Sequence, residues 1–224
     1  MKLCRYDDDK LGIVIGKQIY DVTAIQQKIR ETHPYVSKSD AVIAALPEWR
    51  GRMEKMASAA SPMPIENAKL LAPIARPGKL MAAPVNYKAH IKEALGDPGI
   101  RHIERTTKIR EAGIFLKATT SLIGPSENIP IRFPDRRNDH EFEFAIIIGT
   151  QCSRVHKDRA LEVVAGYTLG LDMTVRGPED RSARKSCDGY AVLGPWLVTA
   201  DEILDPDNVS FQGAVNGHVK QEAN

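Results

Sequence analysis

The chain has 224 residues, 42% hydrophobic and 27% charged, a composition that can bury a core and is too apolar for a disordered chain. Its 31 Lys and Arg against 29 Asp and Glu leave a net charge of +2, which argues against nucleic acid or an anionic membrane surface as a partner. No apolar run approaches the ~20 residues of a spanning helix, and the start MKLCRYDDDK lacks the apolar core of a secretory signal. Cys4, Cys152 and Cys187 are too scattered for a disulfide framework or a zinc site. These features lead to the expectation of a reduced, cytoplasmic protein.

In chain order, MKLCRY and GIVIGKQIYDVT are short apolar segments broken by Asp7, Asp8 and Asp9 and turning at Gly16-Lys17, which predicts a small β-meander. A short helix is expected over Thr23 to Arg30. Ser39-Asp40 reads as the N-cap of a second helix, with Val42, Ile43 and Leu46 at helical spacing. The Ala-, Pro- and Ser-rich stretch that follows places a boundary near 71–77. The expected organisation is a small β-rich N-terminal domain over 1–72 and a larger one over 73–224. Beyond the boundary, LMAAPVNY reads as a strand and KAHIKEAL as a helical turn. The polar stretch 97–111 reads as a solvated loop of the kind that can close over a site. IFLKATT, EFEFAIIIG, YTLGLDMTV, GYAVLGPWLVT and VSFQGAVNG read as strands, with a short helix from Asp158 to Val164. The fold class is a strand-rich α+β with few helices.

Period-two alternation puts Glu141 and Glu143 on one face of their strand, ~7 Å apart. Such a pair is either the polar side of an edge strand or a set of hard oxygen ligands for a divalent cation. Asp172 favours the cation, because it lies in an otherwise apolar strand where a lone carboxylate would be costly to bury. Together the three would suit Mg²⁺, Mn²⁺ or Ca²⁺. His140 alternates to the opposite face and reads as structural. His90 and Glu93, three apart on a helical turn, are either a surface pair or a general base with its orienting carboxylate. Arg176 follows Asp172 closely enough to hold an anionic substrate group, and Lys185 is a second candidate in the same basic run. Cys187 has no base near it in sequence and reads as a small buried residue.

Taken together, PVNYKAHIKE (84–93), FLKATTSLIGP (115–125), DHEFEFAIIIG (139–149), AGYTLGLDMTVR (165–176), KSCDGY with LGPWLVT (185–199) and VNGHVKQEAN (215–224) resemble the fumarylacetoacetate hydrolase family, in the family's order. The resemblance implies a mixed β-roll, usually dimeric, acting on acylpyruvates and related 2-oxo or 1,3-dicarbonyl acids, often in aromatic catabolism. It implies Glu141, Glu143 and Asp172 as ligands of Mg²⁺ or a similar ion. His90 and Glu93 would be a water-activating dyad on a helix that orders when substrate binds, and Arg176 and Lys185 would face the substrate's oxygens. The expected reaction is hydrolysis of a C–C bond, with the ion stabilising the enolate. Decarboxylation, isomerisation or hydration on the same substrates, or an inactive fragment that only binds metal, are the alternatives. Two positions depart from the family: Glu179 stands where many members have Gln, and Ala83 replaces an aspartate ligand of the animal-type hydrolase. A carboxylate at 179 is expected to alter the preferred substrate charge. The chain also stops inside the family's VNG segment, so further C-terminal strands are expected to be missing.

Overall fold

The computed structural model of the chain describes residues 1–32, 40–84, 86–87 and 113–224. The expected helical turn over 88–95, with His90 and Glu93, and the stretch 97–111 lie outside the described residues.

Three strands, β1 (Lys2–Tyr6), β2 (Lys10–Ile15) and β3 (Gln18–Asp21), form the expected meander. The Asp7 to Asp9 turn and the Gly16–Lys17 turn connect them. Two helices follow, α1 (Thr23–Thr32) and α2 (Ala41–Ala59). Along α2, Val42, Leu46, Trp49, Met53 and Ala57 recur at helical spacing and are all buried. They pack with Ile25 and Ile29 of α1 against Leu3, Leu11 and Ile13, which forms the main core. The opposite face of the meander buries Cys4, Tyr6, Val14 and Ile19. Asp40 caps α2 through Oδ1, which accepts from the Val42 and Ile43 amides at 3.0 and 3.3 Å.

The chain continues through β4 (Pro62–Pro64), β5 (Leu70–Leu71), β6 (Leu80–Ala82), β7 (Phe115–Lys117) and β8 (Leu122–Ile123). Next come β9 (Asn138–Asp139), β10 (Phe142–Ile148), β11 (Val164–Asp172) and β12 (Thr174–Val175). A short helix, α3 (Arg181–Lys185), precedes β13 (Ala191–Thr199), β14 (Phe211–Val215) and β15 (His218–Ala223). Among the described residues, one nine-stranded sheet runs β10-β11-β13-β1-β2-β3-β4, with β5 added beside β1 and β8 beside β13. The β13–β8 pairing is parallel and its neighbours are antiparallel, so the sheet is mixed. The fold is thus the expected strand-rich α+β. Hydrogen bonding passes directly from β1 to β13, with Leu3 opposite Leu197.

Three elements differ from expectation. Among the described residues of LMAAPVNY, only Leu80–Ala82 pairs as a strand. The short helix near 158–164 is a 3₁₀ helix over Lys157–Val163 with no buried residue, consistent with its lack of an apolar stripe. Residues 181–185, part of the basic run for which no helix was expected, form α3, whose Lys185 is buried.

Candidate metal and anion site

The site is built where β10 and β11 run past each other. Phe142 pairs with Leu171 and Glu143 with Gly170, and one step further the Asp172 amide donates to the Glu141 carbonyl at 2.9 Å. Beyond that, Thr174 pairs with Asp139 in a second short ladder. Strand alternation therefore turns Asp139, Glu141 and Glu143 toward the same side as Asp172, Thr174 and Arg176 on the facing chain. The edge of β10 is closed by Gln221 of the last hairpin. Its side chain accepts from the Phe142 amide at 2.8 Å and donates to the Phe142 carbonyl at 2.6 Å. That hairpin turns on Asn216 and Gly217, both at positive φ (51° and 78°), as a two-residue turn of this kind requires.

Two ammonium groups enter this acidic face. Lys185 Nζ lies 2.5 Å from Glu141 Oε2, 2.7 Å from Asp172 Oδ2 and 2.6 Å from Thr174 Oγ1. Lys117, at the end of β7, reaches Asp172 Oδ1 and donates to the Tyr190 carbonyl at 2.9 Å. Lys117, Lys185 and Asp172 are only 6%, 6% and 7% exposed, so each charge depends on the others for the interaction that replaces water. Desolvation lowers the Lys117 pKa, and Asp172 opposes the shift. Arg176 spans two carboxylates, with Nε 2.6 Å from Asp139 Oδ2 and Nη2 2.6 Å from Glu141 Oε1.

Glu143 is the titratable member. Burial pushes its carboxyl up to about 7, and the nearby charges of Glu141 and Asp172 push in the same direction. A hydrogen bond from Tyr87 opposes the shift. The Tyr87 hydroxyl also accepts from the Phe144 amide at 3.1 Å.

The structure thus brings together Glu141, Glu143, Asp172, Arg176 and Lys185. The carboxylate oxygens of Glu141, Glu143 and Asp172 are the hard donors that Mg²⁺, Mn²⁺ or Ca²⁺ prefer. Among the described residues, no three His, Cys, Asp or Glu side chains converge at the spacing of a metal centre. Lys185 lies between two of the carboxylates instead, a cation already bridging Glu141 and Asp172. The donor set fits a divalent ion in chemistry and charge.

Sequence reasoning missed Lys117, Asp139, Thr174 and Tyr87 as parts of this site. For Asp139 and Thr174 the signal was present, since each sits two residues from a recognised member. Glu179 makes a structural contact that the sequence does not suggest. Its carboxylate is held by Arg136 through two contacts of 2.9 and 2.8 Å. The same guanidinium donates to the Arg176 carbonyl at 3.1 and 2.7 Å. Gly177 permits this approach, because a Cβ there would lie 1.7 Å from Arg136 Nη2. The Glu179 charge is therefore spent on bracing the Arg176 backbone.

Comparison with known proteins agrees with this architecture. Residues 79–224 match the family described as fumarylacetoacetate (FAA) hydrolase C-terminal. The chain is 43% identical to the maleylpyruvate hydrolase of Aquipseudomonas alcaligenes, over 100% of this chain and 79% of that protein. Among solved structures, the maleylpyruvate hydrolase from Sphingobium sp. SYK-6, in complex with manganese(II) and pyruvate, superposes with a TM-score of 0.81 at 34% identity. That match covers 100% of this chain and 76% of the other. A fumarylacetoacetate hydrolase from Exiguobacterium antarcticum gives a TM-score of 0.71 at 28% identity, over 100% and 75%.

Proposed function

The chain belongs to the fumarylacetoacetate hydrolase family, and from that membership we propose that it hydrolyses a C–C bond of an acylpyruvate. Supporting this reading is a buried set of carboxylates on two adjacent strands, bridged by a cation and flanked by Arg176. Glu141, Glu143 and Asp172 would hold a divalent ion, Mn²⁺ by likeness to the Sphingobium enzyme or Mg²⁺. Bound there, the ion would supply positive charge to the enolate oxygen that develops as the C–C bond breaks. Arg176 and Lys185 would orient the pyruvyl oxygens through charge-assisted hydrogen bonds. Lys117 would hold Asp172 in place.

His90 and Glu93 remain the proposed water-activating pair. Glu93 would orient the imidazole, and His90 would take a proton from the water whose oxygen bonds to the distal carbonyl carbon. Cleavage of the adjacent C–C bond then leaves a carboxylic acid and the pyruvate enolate, and a proton delivered to the enolate carbon completes the balance. The proposal extends to a homodimer in the cytoplasm, with residues 1–72 and 73–224 as N-terminal and catalytic units. Among the described residues no helix is long and apolar enough to cross a membrane.

The test is turnover of maleylpyruvate and acetylpyruvate by the purified protein with Mn²⁺ or Mg²⁺, followed by loss of the enol absorbance and by pyruvate release. Activity that is abolished by chelator and by Glu141→Ala is the expected result. Enol–keto interconversion without pyruvate release would replace hydrolysis with tautomerisation. Full activity in Glu141→Ala would remove the proposed metal ligands.

A further inference from the structure

The hairpin β14–β15 turns a single face toward the rest of the described chain. Phe211 pairs with Ala223 and Gly213 with Gln221, so these four positions share a face. Among the residues of the two strands they alone are not exposed. What that face meets is the strand that carries Glu143 and follows Glu141. Gln221 Oε1 accepts from the Phe142 amide at 2.8 Å, and its Nε2 donates to the Phe142 carbonyl at 2.6 Å. Gly213 leaves room for the Phe142 ring, because a Cβ there would lie 2.1 Å from Phe142 Cδ2. Phe211 stands edge-on to Tyr87, with ring centroids 5.7 Å apart, and the Tyr87 hydroxyl accepts from the Phe144 amide at 3.1 Å.

These contacts fall where the site is mechanically weakest. β10 is the outermost strand of the nine-stranded sheet and pairs on one side only, with β11. An edge strand with unpaired main-chain groups is prone to fray, and the like charges of Glu141 and Glu143 repel along it. On the open side, the Phe142 amide and carbonyl and the Phe144 amide are taken by side chains, those of Gln221 and Tyr87. With one carboxamide, Gln221 supplies the donor and the acceptor that a residue of a neighbouring strand would present. Glu141 and Glu143 flank the residue it holds. From the other side the Asp172 amide holds the Glu141 carbonyl at 2.9 Å, so this short stretch is pinned from both edges.

We propose that Gln221 is a positioning residue for metal binding: it fixes the main chain at Phe142, so that the Glu141 and Glu143 carboxylates are held on the side of Asp172 before an ion arrives. Ligands ordered in advance cost less to order on binding, which is how residues outside a ligand set tune its affinity. This inference rests on the reading of Glu141, Glu143 and Asp172 as metal ligands, and it adds a residue that acts through the backbone between two of them.

The test measures Mn²⁺ affinity from the electron paramagnetic resonance of the free ion, at a temperature well below each variant's unfolding midpoint. Gln221→Leu removes both hydrogen bonds and should bind Mn²⁺ about tenfold more weakly than wild type at pH 8.5. Gln221→Glu should lose as much at that pH, where its carboxylate faces the Phe142 carbonyl. At pH 5.5 it should recover part of the difference, as the acid form regains a donor. Glu222→Gln, on the exposed face of the same strand, should match wild type. Equal affinities in wild type and Gln221→Leu, or the same loss in Glu222→Gln, overturn the proposal. Amide hydrogen exchange of the metal-free protein gives a readout that needs no ion. The Phe142 amide should be protected in wild type and lose that protection in Gln221→Leu, while the amides of β13 keep theirs. Phe142 protection that survives the substitution, or a loss spread equally over β13, sinks the positioning role. If wild type shows this protection and binds no Mn²⁺, the metal reading fails and the clamp on β10 stands.

Discussion

The ammonium of Lys185 stands 2.7 Å from Asp172 Oδ2, while that of Lys117 takes the other oxygen of the same carboxylate. One buried aspartate thus supports two buried lysines from separate elements, β7 and α3. Replacing it by an isosteric amide keeps the shape and removes the charge, leaving Lys117 without its carboxylate and Lys185 with Glu141 alone. Asp172→Asn should therefore cost about 3–5 kcal/mol, read as a lowered midpoint in urea for the metal-free protein. Loss below about 1 kcal/mol would mean that the lysines find other partners or shed their protons.

Glu143 makes the metal-free protein sensitive to pH. Its folded carboxyl titrates near 7 against an ordinary 4.5, because burial and then the charges of Glu141 and Asp172 disfavour ionisation. A raised carboxyl pKa contributes stability below about 4.5 that is lost as pH rises through about 7. The contribution at stake is about 3 kcal/mol. Unfolding free energies of wild type and Glu143→Gln should converge at pH 5 and diverge by pH 8, with wild type falling relative to the variant. If Glu143 is a metal ligand, Mn²⁺ binding at pH 6 should also release a proton that it does not release at pH 8.5. Calorimetry in buffers of different ionisation enthalpy measures that release.

Tyr87 tunes the same carboxyl. Burial pushes the phenol up to about 12, so near neutrality it remains a donor to Glu143 while accepting from the Phe144 amide. Tyr87→Phe removes a hydrogen bond that favours the ionised carboxylate and leaves the amide without that acceptor. The expected result is a further rise in the Glu143 pKa and a several-fold weaker Mn²⁺ affinity at pH 7, with the difference shrinking at pH 9. An unchanged affinity at both pH values would separate Tyr87 from the metal site.

The carboxylates of this site were legible because a strand's period is two: residues 141 and 143 had to share a face, and Asp172 had no reason to interrupt an apolar strand unless it had a charged partner. The lysines were harder to read. Lys117 finds Asp172 across 55 positions of sequence, and no local pattern announces such a pairing. α3 was missed because its sequence, RSARK, has no apolar stripe. What anchors it is an ammonium entering an acidic cluster, which resembles a solvated charge run until the partners are seen. Glu179 was noticed as a departure, but its pairing with Arg136 was not foreseen, because that partner lies 43 residues away. The meander and α2, stabilised by local pairing and a continuous apolar face, were the parts most easily recognised.

Asp40 combines a legible role with a hidden one, and two substitutions separate them. Its Oδ1 caps α2, as the sequence suggests. Its Oδ2 accepts from the Ala75 amide at 2.6 Å and from the Arg76 amide at 3.3 Å, tying the start of α2 to the segment where the N-terminal strands give way to the rest of the chain. Asp40→Ala removes both functions, and the loss should be about 2 kcal/mol: ~1 for the cap and a similar amount for amides left without a charged acceptor. Asp40→Ser keeps a capping oxygen but is too short, and has too few acceptors, to serve the second set as well. It should therefore lose only about 1 kcal/mol. In native-state hydrogen exchange, the Ala75 amide should lose protection in both variants, whereas Val42 and Ile43 should lose it only in Asp40→Ala. If Asp40→Ser is as stable as wild type and Ala75 stays protected, the second oxygen is incidental and Asp40 is a helix cap alone.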